Sequence, residues 1–350
     1  MKRLIISFVL ILILALVSIG YGPSPALSAT GKKIELRMGY TLPPGAAPYN
    51  GWEWFAQELE KRTNGQVTLK LFPGGTLARA RGMKDAIVSG MSTFGFIVNV
   101  GHAKDWPLTH AIMLPTLGFP NNLEGMIAAG KALFTVYTEF PEIQAEHANP
   151  KLKVISAMTT GPYMYQGKKA VHVPADLKGL KIASFSPMSE LVKGGSGTPV
   201  SVPLPRVYMN LQTGVINGSL TSWSSVQTFK FWEVVKNFTD YDLGRIFNMI
   251  CVNTDTWNSL SKEHQDLILE LIPQANRKGA ELMSSNEGKA KANALANGAI
   301  VRKPAGAERA KWDALGQSIE KKWVTDMNAK GFNAQKIVDR LKALASQASK

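Results

Sequence analysis

From Lys33 onward the hydrophobic residues switch repeatedly between a spacing of two and a spacing of three to four, and this alternation restricts the chain to an α/β fold. Ile34, Leu36 and Met38 alternate as a strand, and Trp52, Phe55 and Leu59 recur at helical spacing until Thr63-Asn64-Gly65 stops the helix. Val67, Leu69 and Leu71 alternate again up to the turn Pro73-Gly74-Gly75, and a helix follows over 78–88. Strand and helix in strict succession imply a mainly parallel sheet with helices on both faces.

A third strand is expected over 91–98, followed by a loop rich in Gly, Pro and His that leads through Leu114-Pro115-Thr116-Leu117-Gly118-Phe119-Pro120 to another helix. Lys153 to Thr159 reads as a new strand, taken here as the crossing into a second lobe. The same grammar then resumes: strands over 180–184, 199–202 and 216–220, with helices from 188 and 205 between them. Lys262 to Ala296 reads as one long helix or two in line, with Leu267, Ile268, Leu271 and Ile272 on one face and a kink expected at Pro273. Unbroken, it would reach roughly 50 Å, longer than one lobe, and could brace two. A short strand over 300–302 and helices from 307 and 334 close the chain. The expected division is lobe I over 30–155 plus about 245–285, and lobe II over 156–244 plus about 286–350.

Lys2-Arg3 followed by the apolar run from Leu4 to Ile19 has the form of an export signal, and Leu27-Ser28-Ala29 offers a small-residue exit, so residues 1–29 are expected to be removed as a signal peptide. The apolar run is short for a bilayer span, which takes about 20 residues. The expected location is the periplasm. What remains is long enough for two lobes with separate cores. Cys251, the one cysteine, cannot form an internal disulfide and is expected to be buried. The formal charge of +14 falls to +12 once Lys2 and Arg3 leave, but the basic residues are scattered along amphipathic helices with no aromatic interleaving. Nucleic acid is therefore not an expected partner.

Catalytic signatures are missing from the sequence. Gly194-Gly195-Ser196-Gly197 fails as a nucleophile elbow because Thr198 stands where the last glycine belongs, and no phosphate loop occurs. His102, His110, His147, His172 and His264 show no metal-ligand spacing. Asp240 and Asp242 could in principle serve as acid and base, but they read as turn formers. No metal, cofactor or catalytic residue is expected.

Asp176-Leu177-Lys178-Gly179-Leu180-Lys181-Ile182, Thr198-Pro199-Val200 and the run from Val207-Tyr208-Met209-Asn210-Leu211-Gln212 to Asn217-Gly218 closely resemble the second-lobe core of TRAP (tripartite ATP-independent) solute receptors of the dicarboxylate-receptor type. Phe72-Pro73-Gly74-Gly75-Thr76-Leu77, Phe231-Trp232-Glu233-Val234 and Trp257-Asn258-Ser259-Leu260 extend the resemblance over nearly the whole chain. It implies a two-lobed fold like that of periplasmic binding proteins. It also implies a receptor that closes on a small organic solute and delivers it to membrane permease subunits, with no enzymatic step; a monomer is the default expectation.

Members of that family usually carry an Arg directly after the Gly-Leu-Lys-Ile strand, where its planar fork takes a carboxylate. Here that position is Ala183, and Tyr163 occupies the position of a second Arg twenty residues upstream. A buried carboxylate without a cation would cost several kcal/mol. Tyr163, Tyr165, Phe185, Thr221 and Trp223 would instead give the cleft an aromatic and hydroxyl lining, suited to a neutral, aromatic or partly apolar solute. The resemblance adds Tyr40, Phe96 and Asn99 to the lining, with core packing the competing reading for Phe96. An organic acid remains the alternative if Arg245 or Lys168 supplies the cation, and Asp240 or Asp242 could attract an amine. The rival classes are a binding protein of an ABC transporter or sensor, and an exported enzyme on a similar frame.

Overall fold

The computed structural model describes residues 33–47, 49–98, 102, 104–185 and 187–349. The expected signal peptide and Asn99 lie outside these residues. Two sheets organise the remainder. The first contains β1 (Ile34–Gly39), β2 (Val67–Phe72), β3 (Phe94–Val98), β4 (Leu152–Thr159) and β10 (Phe247–Asn253) in the order β2-β1-β3-β10-β4. The second contains β5 (Tyr163–Gly167), β6 (Lys181–Ala183), β7 (Thr198–Val200), β8 (Gly218–Ser222), β9 (Asn237–Thr239) and β11 (Ile300–Arg302) in the order β11-β9-β5-β8-β6-β7.

Helices connect the strands as the periodicity predicts. They are α1 (Tyr49–Arg62), α2 (Met83–Val88), α3 (Leu123–Glu139), α4 (Pro141–Glu146), α5 (Met188–Gly194), α6 (Val207–Thr213), α7 (Trp223–Phe229), α8 (Thr254–Ser259), α9 (Lys262–Ala296), α10 (Gly306–Asn328) and α11 (Ala334–Ala348). Local chemistry sets their ends. Past α1, Asn64 and Gly65 both take positive φ, and Gly65 N returns to Glu60 O at 2.8 Å. Asn122, Ser222, Asn253 and Ser261 cap α3, α7, α8 and α9 with side-chain oxygens.

Each sheet is mainly parallel, as expected, and its one reversed strand has a single cause. β10 runs antiparallel to both β3 and β4, and β5 runs antiparallel to both β8 and β9, while the other pairings are parallel. Each reversed strand is the one that arrives from the other sheet. β4 itself stays in the first sheet, paired with β10, so the chain crosses at 160–162 and not within the strand as the sequence suggested. Its partner lies some ninety residues away, and no local pattern reports such a pairing.

α9 is a single helix of 35 residues that contains Pro273. Leu267, Ile268, Leu271, Ile272, Ala275 and Met283 enter the core of the first sheet with Trp52 and Phe55, whereas Ala290 and Ala294 enter a core of the second sheet with Trp223 and Val226. It therefore braces both lobes. Gly51 permits its close approach to α1, since a Cβ there would collide with Ala275 O.

The carboxy-terminal helices do not stay with the second sheet. α10 touches α5 at one end, while Gly316 meets Pro115 and Thr116, the Thr116 hydroxyl bonds Glu320, and Trp323 Nε1 donates to Pro107 O at 3.2 Å. α11 packs on α3, where Arg340 holds Glu139 through two bonds of 2.6 and 2.7 Å.

Candidate functional site

Strand direction locates the site. β4 runs with the parallel strands of its sheet and leaves at its carboxyl end; three residues later β5 enters the second sheet against the direction of its neighbours, hence from their carboxyl ends. β9 and β10 repeat the manoeuvre in reverse over 240–246. The carboxyl edges of the two sheets consequently face each other, and this is where open α/β sheets take ligands. A shallow hollow of about 380 Å³ beside Pro174, Lys178, Ser196 and Lys311 lies at the carboxyl end of α5, which is the opposite edge of the second sheet.

The two crossing segments are bonded to each other. Thr160 N donates to Ile246 O at 2.9 Å, Tyr163 N to Gly244 O at 2.8 Å and Leu243 N to Tyr163 O at 2.9 Å. Gly244 has φ 107°, and a Cβ would collide with Met113 O, so the position requires glycine. Arg245, 3% exposed, turns its Nη2 to Phe119 O at 2.9 Å, Pro120 O at 3.1 Å, Asn121 Oδ1 at 2.8 Å and Asp242 Oδ2 at 3.2 Å. Its Nη1 is buried without a partner among the described residues. Burial raises the Asp242 pKa, and the Arg245 charge opposes that rise.

On the second sheet's edge, Tyr163 and Phe185 meet edge to face with ring centroids 6.0 Å apart. Burial pushes the Tyr163 phenol up, with the Thr221 hydroxyl alongside acting in the other direction. Thr221 Oγ1 is buried and makes no well-formed hydrogen bond with the described residues. Ala183 pairs with Ser219, and Thr221 with Met164, so strand alternation puts Ala183 and Thr221 on the sheet face that carries Trp223 and α9. Tyr163 belongs to the opposite face and approaches Thr221 around the strand end.

Trp223 is more deeply engaged than a cleft lining requires. It is 2% exposed, stacks on Phe238 at 4.9 Å and donates Nε1 to Asp240 Oδ1 at 2.8 Å. Lys291 of α9 bonds Asp240 Oδ2 at 3.1 Å and lies 5.4 Å from the Trp223 ring centre. One helical turn earlier, Glu287 presses against the bare Cα of Gly161, where a Cβ would collide with its Oε1. That oxygen is buried without a described partner, and burial raises the carboxyl pKa to about 7. Among the neighbouring charges, Lys291 and Arg245 oppose the rise and Asp240 and Asp242 add to it.

On the first sheet's edge, Tyr40 follows β1, its ring 5.0 Å from Tyr49 and 5.6 Å from Phe96, and its hydroxyl is buried without a described partner. Phe96, in mid-strand, meets Trp52 at 5.1 Å and belongs to that sheet's core. Tyr165 is not brought to the others: it is fully buried and donates its hydroxyl to Lys169 O at 2.8 Å, beyond the far end of β5. Lys168 is exposed at the same far end and reaches Gln212 O at 3.3 Å. Glu287 and Lys291 were missed from sequence. The available signal was periodic, because Met283, Glu287, Ala290 and Ala294 share one helical stripe, in which a carboxylate stands among buried apolar residues.

Two lobes joined by bonded crossing segments and a shared helix, with polar and aromatic groups gathered at facing strand ends, have the architecture of a solute receptor. Residues 38–326 match the family described as bacterial extracellular solute-binding protein, family 7, and the chain belongs to it. A 2,3-diketo-L-gulonate-binding periplasmic protein of Escherichia coli (strain K12) is 26% identical over 327 residues, covering 88% of this chain and 92% of the relative. A marine metagenome TRAP solute-binding protein specific for aromatic acid ligands, solved with 3-hydroxybenzoate, superposes with a TM-score of 0.80 at 24% identity, covering 91% of this chain and all of that one. A TRAP protein of Bordetella bronchiseptica with bound mandelate gives 0.80 at 23% identity, covering 90% and 99%. By that membership the chain is an extracytoplasmic solute receptor, and not an enzyme. Family members are periplasmic and work with membrane permease components.

Proposed function

We propose that the receptor binds an uncharged, aromatic or partly apolar solute between the facing strand ends, with Tyr163, Phe185 and Thr221 as its contacts. The observation that carries this reading is the pairing of the cations there. Arg245 is matched by Asp242 and Lys291 by Asp240, with Glu287 beside them, so the described charges leave no surplus cation for an anionic solute. Ala183 and Tyr163, at the positions where the family resemblance implies arginines, supply none either. The two lobes would be the bodies built on the two sheets, residues 1–29 would direct export, and the receptor would act as a monomer.

A second reading has its own support. Arg245 Nη1 has no partner among the described residues, and aromatic acids occupy several structurally similar receptors, so an aromatic acid could dock on that nitrogen. Matched pairs decide between the readings: benzyl alcohol or benzamide against benzoate, and a mandelic ester or amide against mandelate, in a thermal-shift series. Saturation at 100 times the dissociation constant adds about 2.7 kcal/mol. The proposal expects the neutral member of a pair to raise the melting temperature more; stabilisation by the acids alone would replace it with the Arg245 reading.

A further inference from the structure

We propose that Glu287 is a proton-linked hinge group: in its protonated form it holds the lobe arrangement described here, and its ionisation favours a different one, so solute capture exchanges a proton with the solution. The proposal rests on the two-lobed receptor reading and is independent of the nature of the solute. Its basis is position. Residues of α9 up to Met283 belong to the core of the first sheet, residues from Ala290 belong to a core of the second, and Glu287 lies between, over Gly161 of the crossing segment. A carboxyl group at the junction of two moving bodies changes its surroundings when they move.

The surroundings here suit the protonated form. Lys291 faces Glu287 from α9 itself, and Asp240, Asp242 and Arg245 face it from the segment between β9 and β10. α7 carries no charged residue, and α3 approaches the site through Met126, whose sulfur lies beside Gly161, while Glu124 of that helix is held by Arg277. Both nearby cations are already committed to aspartates, so an ionised Glu287 would be buried with no cation of its own. Ionisation is accommodated if α9 and Gly161 separate and water or Lys291 reaches Oε1. The proton accordingly favours the arrangement with Gly161 against the carboxyl, by up to tenfold in population for each pH unit between the two pKa values.

Spin labels placed through Glu60→Cys on α1 and Met209→Cys on α6, both exposed positions, report the distance between the lobes, while buried Cys251 stays unlabelled. Pulsed dipolar spectroscopy from about pH 4 to about pH 8.5 is expected to show two populations whose ratio changes between the usual 4.5 and about 7 and levels off above that window. Glu287→Gln should hold the low-pH distribution throughout. Gly161→Ala, which puts a methyl group against Oε1 and drives the carboxyl toward solvent, should pull the upper end of that window down toward the usual 4.5 and shrink the change. A distribution that ignores pH, a shift that persists in Glu287→Gln, or a window unmoved by Gly161→Ala would each overturn the assignment. The solute-class experiment is untouched by any of these results.

Discussion

The two flanks of the molecule are built differently: where α10 and α11 lie, side chains from both sheets merge into one core, and where α9 lies they form two. Ile97, Phe247 and Met249 of the first sheet share a cluster with Tyr163, Ile182 and Leu220 of the second, completed by Trp312 and Ile319 of α10. Across the molecule, the Trp52 cluster and the Trp223 cluster remain separate, and α9 alone contributes to both. A continuous core resists separation because close-packed interiors do not deform smoothly. Lobe movement should therefore pivot about the joined flank and open the divided one, with α9 as the tie.

The hardest test of that contrast is to remove one tryptophan from each flank. Trp312→Ala and Trp223→Ala should each cost about 3–5 kcal/mol in urea unfolding, since both rings are buried and each donates a hydrogen bond, to His172 O and to Asp240. Their reach should differ. Trp312→Ala should weaken hydrogen-exchange protection in β3 and β8 alike, and Trp223→Ala only in the second sheet. Protection in β3 that survives Trp312→Ala would mean that the flank is not joined.

The flanks should also respond to acid in opposite senses. His147, on the joined flank against Trp106 at 4.3 Å, is held neutral: burial depresses its pKa from 6.5 to about 3, with Lys84, His102 and His110 reinforcing the shift. Between those values the unfolded chain binds the proton that the folded chain refuses. Its stabilising contribution is complete above 6.5 and falls by about 2.7 kcal/mol on going to pH 4.5. Glu287 is raised from 4.5 to about 7, so its contribution is complete below 4.5 and is lost as pH rises through about 7. The unfolding free energy from urea titrations should therefore change between pH 7.5 and pH 4.5 more favourably in His147→Gln than in the wild type, by about that amount.

Most of this architecture is local and was legible. The strands alternate, the helices repeat, Thr63-Asn64-Gly65 stops α1, and the apolar stripe from Leu267 to Ile272 makes the long helix recognisable. What escaped depends on distant pairing. β10 joins β4 across ninety residues, α11 returns to α3, and the site at the crossing brings Gly161, Arg245 and Glu287 together from three places in the chain. Residue type alone does not show what a side chain is bonded to. Trp223 and Tyr165 have the character of ligand contacts, but Trp223 is tied to Phe238, Asp240 and Lys291, and Tyr165 to Lys169.

A smaller effect is expected where the crossing segments meet the joined flank. Gly244→Ala forces a side chain into φ 107° and against Met113 O, and a strained backbone of that kind costs about 1–3 kcal/mol. Because Tyr163 N donates to Gly244 O, the variant should lower solute affinity as well as the melting temperature. Full affinity with a lowered melting temperature would separate the pivot from the binding site.

The smallest expected effect tests the comparison from outside both flanks. Lys168 is exposed beyond the end of β5, and its ammonium reaches Gln212 O, whereas the strand ends that face the first lobe are at Tyr163 and Ser222. A charge there is screened by solvent and separated from the cleft by the length of the strand. Lys168→Ala should therefore leave the affinity for any stabilising solute from the thermal-shift series within about twofold of wild type, and a larger loss would bring the cation back into the site. Arg245→Lys is the informative partner, since a lysine ammonium cannot reproduce the planar guanidinium whose Nη2 reaches Phe119, Pro120, Asn121 and Asp242 while Nη1 points elsewhere. A large effect at Arg245 with none at Lys168 would place the binding chemistry at the crossing segments, where the joined and divided flanks meet.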